Sequence, residues 1–315
     1  MFWNKTAIEN PLGVPLSDLR EILKHSGVDV LQEKGGSLVI DHGAYKTHVE
    51  VVEPIERSSP NGVVSSVVQI KTVLPPQIQS LFPTDGLLLA GNKMASLSAL
   101  TRSSAGAIIG SRLTIYENED AWRTLHLPLL LFAALLGSNA ILGGLRRVFA
   151  KEEPRDDPSD WTESDLNFVH GYLSRISVAT NGGLGVTAEI PLAANAIAAI
   201  NGDNDTALLQ LMADQPHPEL GGGLFVLLQM PHRTRDERKL NAICTRLNEL
   251  ELEARDLPPF FGAWCEGKLG GNPAYVSFIP NQLHSVNGIG LNFAMWAFAR
   301  AEWANGIINS MGARA

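Results

Sequence analysis

The residues with the most chemical potential lie in one short stretch of the chain. Asp214, His217 and Glu219 fall together just before Gly221-Gly222-Gly223. An imidazole flanked by carboxylates is the arrangement of a general base, and a hydrolase-like enzyme could be built on it. Such chemistry also needs a nucleophile. No Ser or Cys is placed beside the trio by spacing, and the G-x-S-x-G elbow is absent. Pro216 and Pro218 bracket His217, and two prolines already make a rigid turn. His217 is therefore read as a structural loop residue, whose replacement by Ala shifts stability by less than about 0.5 kcal/mol. Catalysis by His217 with Asp214 or Glu219 is the alternative.

Other candidate motifs reduce to ordinary structure. Gly182-Gly183-Leu184-Gly185 lacks the GK[ST] ending of a phosphate loop and precedes a strand pattern, so a β-turn is expected. Gly91-Asn92-Lys93 lies inside a helical pattern without phosphate-loop spacing, and Lys93 reads as a solvated lysine near a domain interface. The histidines show no metal-ligand spacing, and only His42 and His48 could approach, across a hairpin at Gly43. Cys244 shares a helix stripe with Leu240, Ile243 and Leu247, and Cys265 sits beside Trp264. Both read as buried small hydrophobes. No cofactor and no metal are expected.

A partner-binding candidate comes from the last apolar stretch. Trp296 and Trp303 are seven apart, so they share a helix face with Phe293 and Arg300. Core packing explains such a face, and an exposed aromatic grip on a partner is the functional reading. The helix is apolar nearly all round from Leu291 to Trp303, which suits two packing partners.

Composition narrows the classes. The chain has 315 residues, 45% of them hydrophobic, with 25 Lys and Arg against 33 Asp and Glu and a net charge of -8. That balance disfavours nucleic acid as a partner. Arg233 to Lys239 is locally basic, but interleaved acids make it a solvated helix start. Two cysteines form no disulfide framework, and the first twenty or so residues lack an apolar run behind a basic start, so a cytoplasmic location is expected. Leu125 to Leu145 has the length of a membrane span. His126, Pro128, Ser138 and Asn139 interrupt it, so a buried core helix and no membrane are expected.

The elements that would carry these residues repeat. A charged, proline-containing linker at 151–162 separates residues 1–150 from residues 163–315. Each half reads as helix, three strands, helix, two strands, helix. In the first, Ser17 is a candidate N-cap, the strands are Ser37 to Ile40, Lys46 to Val52 and Val63 to Val73, and Pro60-Asn61-Gly62 is a turn. A helix follows over Leu87 to Arg102, then a hairpin over Gly106 to Glu117 and a helix over Ala121 to Phe149. In the second, Thr162 with Asp165 resembles a capping box. Strands follow at Gly185 to Leu192, Thr206 to Met212 and Leu224 to Met230, then a helix over Arg235 to Arg255, a hairpin over Phe261 to Pro280 and a helix over Ile289 to Met311. A gapless comparison matches Asn92 with Asn248, Gly106-Ala107 with Gly262-Ala263 and Arg112-Leu113 with Lys268-Leu269, which suggests tandem duplication. The expected fold class is α+β, two tandem domains, each an antiparallel sheet packed against helices.

This order resembles the YbjN family and, more broadly, the type III secretion chaperone fold. The resemblance is carried by the helix Leu16 to His25, the strand block Ser37 to Val73, Asn92 in a helix, and Gly110-Ser111-Arg112-Leu113-Thr114-Ile115. It covers about residues 15 to 150 and, more weakly, 162 to 311, where Ala193 to Asp205, Pro216-His217-Pro218 and Gly221-Gly222-Gly223 have no counterpart in the first half. It implies a non-enzymatic module that binds another polypeptide, with the two domains forming an internal pseudo-dimer and the chain a possible homodimer. No catalytic residues come with it.

Overall fold

A computed structural model describes residues 13–32, 37–52, 57–59, 62–104, 106–116, 121–192, 206–255, 257–267 and 271–312. The first half runs α1 (Gly13–His25), β1 (Val30–Gln32), β2 (Leu38–Asp41), β3 (Lys46–Val52), β4 (Arg57–Ser59), β5 (Gly62–Val73), α2 (Pro76–Gln79), α3 (Asp85–Asn92), β6 (Ala99–Ser103), β7 (Gly106–Tyr116) and, after a π-helical turn at Trp122–His126, α4 (Leu127–Ala150). The second runs α5 (Glu163–Leu173), β8 (Ala179–Asn181), β9 (Gly185–Pro191), β10 (Thr206–Met212), β11 (Gly223–Gln229), α6 (Glu237–Glu253), β12 (Ala263–Glu266), β13 (Pro273–Pro280) and α7 (Ile289–Gly312). The fold is α+β, as expected, with two antiparallel sheets each packed against helices.

The sheets share one strand order. The first is β1-β2-β3-β5-β7-β6 with β4 paired to the end of β5, and the second is β8-β9-β10-β11-β13-β12. In β9 and β10 every second residue is buried, so one face meets the core and the other faces outward. β7 and β13 are buried almost continuously. The cause is layering. α4 of its own half and α6 of the other half both pack on β7, and a strand covered on both faces reads as a run of apolar residues.

The expected run of three strands is corrected in both halves, since β1 and β4 add to it in the first and β8 in the second, and the middle helix of the first half also differs from its sequence reading. The helix expected over Leu87 to Arg102 ends at Asn92, and Ala99–Ser103 is a strand paired with β7, so Gly106 to Tyr116 is one strand of that hairpin and not a hairpin itself. Side-chain chemistry ends the helix. The Leu100 N–H donates to Asn92 Oδ1 at 2.7 Å and Asn92 Nδ2 donates to the Leu100 carbonyl at 2.9 Å. Leu97 turns the chain with φ at 58°. The second half repeats the device, with Trp264 N–H to Asn248 Oδ1 at 2.7 Å and Asn248 Nδ2 to the Trp264 carbonyl at 2.9 Å. The Asn92–Asn248 match is therefore structural. The Gly106-Ala107 match with Gly262-Ala263 is out of register, because Gly106 opens β7 whereas Gly262 precedes β12, the counterpart of β6, and Lys268-Leu269 lie outside the described residues. Ser17 is also not an N-cap, since α1 begins four residues before it.

The linker is exposed from Lys151 to Pro158 but is tied down. The Arg155 N–H donates to the Pro218 carbonyl, Ser159 Oγ to the Gly223 carbonyl and Asn281 Nδ2 to the Pro158 carbonyl. A Cβ at Gly222 would come within 2.2 Å of the Pro158 oxygen. Gly222 thus lets the linker backbone approach, whereas a Cβ at Gly223 would strike the Ile279 carbonyl and the Phe278 ring. Thr162 and Asp165 form the expected capping box. Arg123–Ala150 is long and apolar enough to cross a membrane, with 61% of its apolar stretch buried inside the protein. Pro60-Asn61 of the expected turn and Ala193 to Asp205 lie outside the described residues.

Candidate functional site

The β10–β11 connection does not assemble the trio read from sequence. His217 is buried, and both its ring nitrogens are used. Nδ1 accepts from the Glu219 and Leu220 N–H groups at 3.1 Å each, which puts the proton on Nε2, and Nε2 donates to the Met94 carbonyl of the first half at 3.1 Å. Burial pushes its pKa down, against the Met94 bond and Glu219, so the ring is neutral. The Glu219 carboxylate is held by Arg147 Nε at 2.6 Å, with Arg146 and Arg155 each at 3.9 Å. Asp214 is exposed. His217 and Glu219 are thus joints between the halves, and the expectation of a surface loop around His217 is corrected: its ring is a buried three-way hydrogen-bond hub.

The aromatic face of the last helix is mostly covered. Phe293 is buried and its ring touches Trp296 at 5.1 Å, while Trp296 and Trp303 are half-buried against the core. Arg300 is fully buried and not available to a partner. Its Nε and Nη2 donate to the two Glu251 carboxylate oxygens at 2.6 and 2.9 Å, its guanidinium lies 4.1 Å over the Tyr275 ring, and Trp264 Nε1 also donates to Glu251. Desolvation works against the charged guanidinium, but the charge and hydrogen bonds of Glu251 together with Tyr275 hold the pKa above its ordinary value.

A different surface stands open. Phe168 and Tyr172 project from α5 with 54% and 46% of their area exposed and meet edge to face at 5.2 Å. Ile176 and Val178 continue the apolar exposure beyond the helix. Beside Phe168, a cleft of about 420 Å³ lies between α5 and the start of α7, with Trp161, Val169, Asp165 and His284 in its walls. His284 Nε2 meets Asp165 Oδ2 at 3.2 Å. Partial burial raises the Asp165 carboxyl, but the Thr162 hydrogen bonds and His284 together hold it below the usual carboxylate range. The sequence carried a signal for this surface: Phe168 and Tyr172 are four apart, off the buried stripe of Leu166, Val169 and Leu173.

Among the described residues no three His, Cys, Asp or Glu side chains cluster to hold a metal ion. His42 Nε2 bonds the Thr47 hydroxyl at 3.1 Å. Burial pushes Cys265 up to about 12 and Cys244 well above its ordinary value, so neither thiol is an activated nucleophile. Lys93 pairs with Glu266 across the halves at 3.3 Å, an exposed interface lysine as read.

No family model matches the chain, and no curated protein does. Among solved structures it is similar to DynU16, a protein of the dynemicin biosynthetic locus, at 10% identity and a TM-score of 0.14 over 91% of this chain and 87% of that one, a score too low to establish a common fold.

Proposed function

We propose that this protein is a non-enzymatic, chaperone-like module that binds other polypeptides in the cytoplasm. In this reading its halves arose by tandem duplication and are paired as an internal pseudo-dimer. The resemblance to the YbjN family is supported by the repeated order of helices and strands, and α4 is read as a core helix. The observation that carries the binding role is the open apolar strip of Phe168, Tyr172, Ile176 and Val178. Aromatic side chains left in water beside a cleft are the usual anchors of a recognition surface. The neutral, fully bonded His217 weighs against the hydrolase-like alternative. An extended apolar segment of the client would lie along the strip and place one side chain in the cleft.

The test is binding of a permanently unfolded polypeptide, reduced and carboxymethylated α-lactalbumin labelled with a fluorophore, followed by anisotropy. The double variant Phe168→Ser, Tyr172→Ser should bind about tenfold more weakly or worse, the loss of two anchors. Wild-type binding that the variant retains would move the client elsewhere. No binding by the wild type would remove the chaperone-like reading.

A further inference from the structure

The contact between the halves can be compared position by position. Ala99 pairs with Gly110 in the first hairpin and Ala263 with Val276 in the second. Leu100 and Trp264, each one residue further on, are the residues held by Asn92 and Asn248. Counting along the strands, Gly110, Arg112 and Thr114 of β7 correspond to Val276, Phe278 and Pro280 of β13. Gln69, paired with Arg112, corresponds to Phe225, paired with Phe278. Ser96 and Phe260, each three residues before their strand, cross to the opposite half. Ser96 Oγ donates to the Phe278 carbonyl at 2.7 Å, and Phe260 and Arg112 exchange backbone hydrogen bonds at 2.7 and 3.2 Å.

The backbones match, but the side chains do not. Alternate residues of β7 share the face that meets α6. There the first half donates to the carbonyl-rich C-terminal end of α6 and the residues after it. Gln69 Nε2 reaches the Leu252 carbonyl at 2.9 Å, Arg112 Nε the Glu251 carbonyl at 2.7 Å, Arg112 Nη2 the Pro258 carbonyl at 2.7 Å and Thr114 Oγ1 the Arg255 carbonyl at 3.1 Å. Gly110 makes room, since a Cβ there would stand 3.1 Å from the Leu252 side chain. In the second half the corresponding Phe225, Phe278 and Pro280 side chains can donate to none of these carbonyls, and Val276 would add three carbons where Gly110 has none. Conversely, α3 stops at Asn92, whereas α6 runs on past Asn248 to Glu253. A second copy of the first half would therefore offer Arg112 no helix end to cap.

We infer that this interface is heterospecific: it accepts one half of each kind and rejects two copies of either. Two second halves would bury a helix end without donors and press Val276 onto Leu252. Two first halves would bury the Arg112 guanidinium with the Thr114 hydroxyl of its own half as acceptor but without the Glu251, Leu257 and Pro258 carbonyls. Unpaired buried groups of this kind are how proteins exclude wrong partners. The chain then closes on itself, and this face is unavailable for self-association. The inference rests on the paired-halves reading above and is independent of what the module binds.

The experiment starts from the folded full chain with a specific protease site substituted into residues 152–156. After cleavage, native mass spectrometry should find the two fragments as a one-to-one complex. After unfolding in urea and dilution, the same complex should return with neither homodimer. Fragments that part on cleavage overturn the pairing itself. Homodimers of either half overturn the heterospecificity while leaving the pairing in place. If the fragments precipitate on refolding, the intact chain decides. Gly110→Val should lower the urea midpoint, and adding Leu252→Ala should recover part of that loss. Additive effects of the two substitutions would overturn the inference.

Discussion

Arg112 and Phe278 occupy corresponding places at the two corners of the interface, and the corners are chemically opposite. At the first, a fully buried guanidinium caps carbonyls of the other half, and desolvation lowers its pKa to about 10. At the second, an aromatic ring packs against His217 at 5.2 Å. Both keep a cross-half hydrogen bond at 2.7 Å to the backbone carbonyl. The two corners thus share backbone geometry while their side-chain chemistry differs. The difference teaches that the charged corner contributes selectivity more than net stability, since a buried charge repays its desolvation only when every partner is present.

The largest effect should come from Glu251, which lies beside the Arg112 corner and binds Arg300. Glu251→Gln leaves a buried cation without its counter-charge, and urea denaturation at pH 7 should show a loss of about 3–5 kcal/mol. Phe278→Leu, at the apolar corner, should cost only about 1 kcal/mol. Equal losses would erase the contrast between the buried ion pair beside the first corner and the apolar packing of the second.

Acid should separate the halves next. His126, just before α4, is 3% exposed, and burial lowers its pKa to about 4. His284 precedes α7 at the equivalent end and is half-exposed beside Asp165. Unfolded, His126 takes up a proton near pH 6.5; folded, it does so only near pH 4. Between these values the unfolded chain holds more protons, so stability is present above pH 6.5 and lost as pH falls toward 4, by roughly 3 kcal/mol in total. The slope of unfolding free energy against pH over that window should fall in His126→Gln, leaving the share of His217, which burial also lowers.

His217→Ala should cost about 1–3 kcal/mol, the price of leaving the Glu219 and Leu220 N–H groups and the Met94 carbonyl unpaired in the interior. A thermal unfolding midpoint unchanged from wild type would return His217 to the surface-loop reading. The smallest effect belongs to Lys93. Its pair with Glu266 is exposed, so Lys93→Ala should change the unfolding free energy by less than about 0.5 kcal/mol, and by less still in high salt.

Much of the fold was legible in the sequence where the signal was local. The strands Lys46–Val52 and Thr206–Met212 fall on the residues expected of them, and the Thr162–Asp165 box caps α5 as its spacing requires. Leu87 to Arg102 misled because apolar residues there satisfy a helical period as well as a strand, and Asn92 decided between them through a bond to Leu100. Phe168 and Tyr172 were visible as a pair, but their exposure depends on what the opposite face of α5 covers.

The sequence by itself determined the α+β class, the repeated order of elements and the burial of Cys244 and Cys265, because periodicity and composition are properties of neighbouring residues. Only the tertiary structure decided the roles of Arg112, His217, Glu219 and Arg300. Arg112 finds its acceptor at Glu251, 139 residues away, and His217 its acceptor at Met94, 123 residues away. A polar residue looks the same in a sequence whether it faces water or a distant carbonyl. Which it meets depends on how two sheets are brought face to face, and that arrangement is set by the packing of the whole core.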